Sequence, residues 1–145
     1  MADSSPFAIP YKLPGGPYRI SMAENEAVCG AVGASPRPAG RAHPIFFYIA
    51  TQNGMGITVG ELFDLCRFDP ADGPLMVSTR AAFHQPIRTE TDYVVSGEII
   101  GLTRKPSRTF GAVDLLEFVL RLTAPNGEAV VECVNAWVLP RKAAA

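Results

Sequence analysis

Two histidines and three cysteines in 145 residues leave little from which to build a metal site. Cys29, Cys66 and Cys133 lie far apart, form no Cys-x-x-Cys pair and have no histidine at zinc-ligand spacing. An odd number of scattered cysteines suits reduced, mostly buried thiols in a cytoplasmic protein better than a disulfide framework. Charge of one sign is also missing. The formal net charge is −1 and no basic cluster is longer than Arg104-Lys105, which argues against a nucleic-acid partner. No apolar run approaches the 18 or so residues of a membrane span. Met1–Pro10 lacks the basic-then-apolar order of a signal peptide. The expectation is therefore a cytoplasmic chain with no metal, no resident cofactor and no membrane partner.

What is present suits one folded domain. Hydrophobic residues make up 48% of the chain and charged residues 19%, which excludes a disordered chain. The length is enough for a core that needs no staples.

Residues 1–17 hold Pro6, Pro10, Pro14, Pro17 and Gly15-Gly16, and read as an extended arm outside a domain of residues 18–142. Tyr18-Arg19-Ile20 suits a short strand. Ser21 stands three residues before Glu24, a capping box, and predicts a helix to about Gly33 with Val28, Ala31 and Val32 on one face. Two prolines and a glycine within residues 34–41 force a loop. Pro44 to Cys66 is the most apolar helical segment, and Pro44 suits its first position. Ile45 to Ile49 are apolar almost all round, so this helix should be buried. Gly54 and Gly56 weaken its middle, and Thr58 with Glu61 forms a second capping box, so a break near residue 57 is expected.

After the turn cluster Asp69–Pro74, four strand-like runs follow: Leu75–His84, Asp92–Arg104, Phe110–Thr123 and Glu128–Leu139. Pro86 closes the first, Asn126-Gly127 predicts a type I′ hairpin, and Asp114 and Glu117 break the alternation as a bulge would. A long apolar helix followed by four strands predicts an α+β hotdog fold: a curved antiparallel meander wrapped around a central helix. One such sheet leaves an edge exposed, so a dimer is expected.

Three segments carry a family resemblance. They are Ala42-His43-Pro44-Ile45-Phe46, Phe83-His84-Gln85-Pro86-Ile87-Arg88, and Leu122 to Val130. In order and spacing they resemble the MaoC-like dehydratase and (R)-specific enoyl-CoA hydratase family, in particular its first-half type. The resemblance implies a substrate carried as an acyl thioester on coenzyme A or an acyl carrier protein. In that family an Asp-x-Asn-Pro-x-His loop moves the proton, and backbone N–H groups near the helix start receive the thioester oxygen. Here residues 33–43 contain no Asp, so those catalytic roles do not carry over. The chain resembles the acyl-binding half of a heteromeric hydratase, partnered by a second hotdog subunit. A homodimer is the other arrangement.

Each candidate residue has a functional and a structural reading. His43, at a helix N-terminus, suits a general base or thioester ligand, or a ring bonded to loop backbone. Ala42, Asn53 and Gly54 are candidate substrate-binding positions: Asn53 as a hydrogen-bond donor, Gly54 as a point of close approach. Helix packing at a dimer seam is the structural reading of Gln52-Asn53-Gly54. Glu61 and Asp64 would serve an acyl-CoA thioesterase, or act as cap and solvated acid. Arg37, Arg41, Arg88, Lys105 and Arg108 could meet coenzyme A phosphates. His84 and Trp137 read as structural. A third reading is a non-catalytic acyl-thioester-binding protein.

Overall fold

The computed structural model describes residues 5–35 and 40–142. Five antiparallel strands form one sheet: β1 (Tyr11–Arg19), β2 (Leu75–Phe83), β3 (Asp92–Ser107), β4 (Gly111–Thr123) and β5 (Ala129–Pro140). Their order is β1-β3-β4-β5-β2. Helix α1 (Met22–Ala31) follows β1, and helices α2 (Phe46–Asn53) and α3 (Val59–Leu65) precede β2. No helix among the described residues is long and apolar enough to cross a membrane.

The four later strands lie within three residues of their expected limits, because alternation marks half-buried strands well. Their order differs from expectation. Only β3, β4 and β5 form a meander; β2 pairs with β5 at the far edge, not with β3. Alternation shows that strands exist. The crossover, here residues 84–91, sets their neighbours.

The expected arm is partly strand. β1 begins at Tyr11 rather than Tyr18 and pairs with β3 from Tyr11↔Ile99 to Arg19↔Asp92. Its prolines are tolerated because β1 is an edge, where one side of the ladder needs no N–H. Pro14-Gly15 is a bulge opposite Ser96, and Gly15 N–H donates to Met55 O at 2.9 Å.

The long central helix is in fact two short ones. The break falls where the glycines and Thr58 placed it. Gly56 takes φ +86, and a Cβ there would meet Gly15 backbone at 2.5 Å. Thr58 and Glu61 satisfy each other's backbone N–H, both at 3.0 Å. At α1 only half of the expected box forms. Ser21 Oγ accepts from Glu24 N–H, while the Glu24 carboxylate accepts from Tyr18 Oη at 2.8 Å. The buried face of α1 carries Asn25 and Cys29, and Val32 is exposed. The hairpin at Asn126-Gly127 is not type I′. Only Gly127 has positive φ, and its N–H donates to Ala124 O, giving a three-residue loop. The bulge expected on β4 lies on its partner: Ile100 of β3 is the extra residue between Ile99↔Phe118 and Gly101↔Glu117.

Both helices cover the same sheet face. Phe46 and Ala50 of α2 pack with Ile20, Tyr93, Val95 and Leu122. Leu62 and Phe63 of α3 pack with Ile99, Phe118, Leu120 and Trp137, which is core as expected. The three cysteines are free and buried. Burial, with the nearby Asp114 charge, pushes the Cys66 thiol up to about 12, so it has no nucleophilic character at neutral pH.

Asp114 interrupts the β4 alternation because it is a buried anion with partners. Its carboxylate meets Arg104 at 2.9 Å and Arg141 at 3.7 Å, and Arg141 also donates to Cys66 O at 3.2 Å. This cluster ties α3 and the end of β5 to β4. Asp114→Ala should cost about 3 kcal/mol, read as a lower urea midpoint with an unchanged slope. A loss under about 0.5 kcal/mol would show the cluster to be surface decoration.

Candidate functional site

Two of the motif segments, some forty residues apart in the chain, meet at one cavity. Arg41, Ala42 and Pro44 from the lead-in to α2 form one wall, and Phe83, Pro86 and Ile87 from the β2 end and crossover form the other. The cavity holds about 240 Å³, is mostly apolar, and has no carboxylate in its lining. It is smaller than a typical whole ligand site.

The two walls are pinned together by backbone. Ala42 N–H donates to Ile87 O at 2.8 Å, Thr89 N–H to Gly40 O at 2.8 Å, and Arg41 bridges Arg88. Arg88 N–H donates to Tyr93 Oη at 2.8 Å. Ala42 lines the cavity while its N–H is used within the fold.

His43 sits between two lining residues without lining the cavity itself. Its N–H donates to Asn25 Oδ1 at 2.8 Å, and its Nδ1 accepts from Ile45 N–H at 3.0 Å. An accepting Nδ1 places the proton of the neutral ring on Nε2, so the free nitrogen is a donor. Phe46, Phe47 and Tyr48 N–H donate to the carbonyls of His43, Pro44 and Ile45. From Ala42 to Ile49 every backbone N–H has a partner inside the chain. Asn25 was absent from the expected site residues. Its one signal is a polar residue inside a helix, away from any cap.

Asn53 and Gly54 lie at the opposite end of α2, roughly 12 Å along the axis. Asn53 hydrogen-bonds Tyr18, whose hydroxyl is raised by burial against the lowering effect of that bond. Gly54 is buried. A Cβ there would collide with the Val95 side chain and meet Ala50 O at 2.9 Å. Neither residue lines the cavity.

Glu61 and Asp64 line a separate pocket of about 370 Å³ between β1 and α3, with Tyr11, Lys12 and Ile57. The Glu61 carboxylate is occupied at the Thr58 cap. Lys105 and Arg108 are at the far end of the long β3–β4 hairpin, remote from Arg41 and Arg88, so one coenzyme cannot meet all four. His84 is exposed beyond β2. Arg37 lies outside the described residues. The described residues contain no cluster able to hold a metal.

No family model matches the chain, and no curated protein matches it in sequence. Solved structures do match in shape. A MaoC-like dehydratase from Rhodospirillum rubrum superposes with TM-score 0.64 at 16% identity, over 93% of this chain and 94% of that one. The fold is a hotdog. The C-terminally truncated HadBC (3R)-hydroxyacyl-ACP dehydratase complex of Mycobacterium tuberculosis gives 0.66 at 16% identity, covering 94% and 99%. The ChsH1-ChsH2 complex of the same organism gives 0.64 at 15%, covering 91% and 83%. Within this hotdog the expected central helix corresponds to α2 with α3.

Two substitutions test these positions. His43→Ala removes the acceptor for Ile45 N–H and should cost about 1 kcal/mol. Gly54→Ala should cost about 2 kcal/mol through overpacking against Val95. Equilibrium urea unfolding measures both. A neutral Gly54→Ala would show room for a ligand where the structure has none.

Proposed function

We propose that this chain is the acyl-binding subunit of a hydratase or dehydratase acting on a 2-enoyl or 3-hydroxyacyl thioester. A second hotdog subunit would supply the acid–base pair. The observation that carries this reading is the cavity at the α2 lead-in. It is apolar, and its walls offer no carboxylate and no histidine. Hydration of an enoyl thioester needs a group that takes a proton and returns it. A surface that holds the acyl chain and lacks that group suits binding.

The roles follow from the chemistry of the walls. Ala42, Pro44, Phe83, Pro86 and Ile87 would hold the acyl chain. Arg41 would meet phosphate on coenzyme A or the carrier protein. His43 does not line the cavity itself; in a site completed by a partner it would act as a thioester ligand through Nε2–H, because Nδ1 is engaged. Asn53 and Gly54 are better explained by packing. The modest volume fits half of a site that a partner completes. The similar folds of two-subunit complexes support this arrangement.

Calorimetry and enoyl absorbance with crotonyl-CoA test the reading on the purified chain. Binding without hydration is expected, and Phe83→Asp should weaken binding about tenfold. Turnover by the chain alone would remove the binding-half reading. If that turnover survived His43→Ala, the role of His43 would go as well. Binding that stays without turnover when a hydratase-type partner is added would leave a non-catalytic binding protein.

A further inference from the structure

The sheet has two edges, and they are built differently. β1 resists further pairing: Pro14 and Pro17 have no N–H to offer, and a bulge at Pro14-Gly15 bends the strand. β2 has no proline, and Leu75, Met76, Val77 and Phe83 are 47–60% exposed. An uncovered apolar edge of this kind is a template for another strand.

Arg80 is the one charged residue on β2. Thr79 turns to the helical side, where its Oγ1 donates to Asn135 Oδ1 at 2.8 Å. Arg80 therefore stands on the outer face. No described residue pairs with its guanidinium. Glu132, diagonal to it on β5, is held by Arg121 at 3.0 Å.

Self-pairing of β2 brings these charges together. A two-fold axis that keeps both helical layers on one side pairs residues of like parity. Centres at Thr79, Arg80 or Ala81 put the two Arg80 side chains directly opposite or on the diagonal, about 5–8 Å apart at Cβ. Like charges in those places oppose pairing, and a carboxylate there favours it.

We propose that Arg80 decides which chain joins the sheet at β2: it favours the edge strand of a different hotdog chain carrying a carboxylate opposite it over a second copy of this chain. The proposal rests on the two-subunit reading above and names what the partner strand carries.

Sedimentation velocity on the full chain tests it without knowledge of the partner. Wild type, Arg80→Glu and their equal mixture are compared. The mixture should dimerise at a concentration about tenfold below that needed by either alone. Wild type associating as tightly as the mixture overturns the proposal, and so does a mixture that fails to associate. Arg80→Ser, which carries no charge, should self-associate more readily than wild type; no change overturns the charge argument. Far-UV circular dichroism checks that the variants fold. No readout involves a thioester, so failure here leaves the cavity reading to the crotonyl-CoA test.

Discussion

The first turn of α2 packs against the sheet through the buried Phe46, with Phe47 to Ile49 half-buried, and its N–H groups find partners inside the chain. This constraint shapes everything around the cavity. His43 folds back on Ile45, Asn25 reaches across from α1 to His43, and the following N–H groups close tight turns. The crossover after β2 is drawn in by the same demand, since Ile87 O takes the Ala42 N–H. The apolar walls are a consequence of this closure. So is the lack of a free backbone donor at the place where a thioester oxygen would arrive.

A site built this way is rigid and chemically quiet. An oxyanion donor works when it is aimed and unspent. Here the donors are aimed at the chain itself, and the ring of His43 serves as a cap. The charged side chain in the cavity wall is Arg41. A guanidinium can hold and orient an anion but is not a base at neutral pH. On the proposed reading this chain holds the acyl group and a partner moves the proton.

The strands were readable from the sequence because half-buried strands print a period of two, as in Tyr93, Val95, Gly97 and Ile99. The helix break was readable because Gly56 and Thr58 state a backbone conformation outright. Strand order was not, since β2 reaches the far edge through a crossover whose contacts are backbone to backbone. β1 was hidden by its prolines, which mark a loop in most settings and an edge in this one. Ala42 and His43 were singled out from their place at the helix start; Ala42 lines the cavity and His43 stands beside it. Asn25 was missed because its function is to satisfy another residue's N–H, a relation eighteen positions away that no local pattern records. Asn53 and Gly54 were singled out for substrate binding; folding places them at the other end of α2 from the cavity, with Gly54 against Val95.

The central claim is that the N–H groups at the α2 start are already spent. Residue-resolved amide hydrogen exchange at Ile45 tests it directly. The account predicts strong protection in the free chain and near-complete loss of it in His43→Ala. An Ile45 amide that exchanges freely in the wild type would contradict it and reopen the helix start as an oxyanion site.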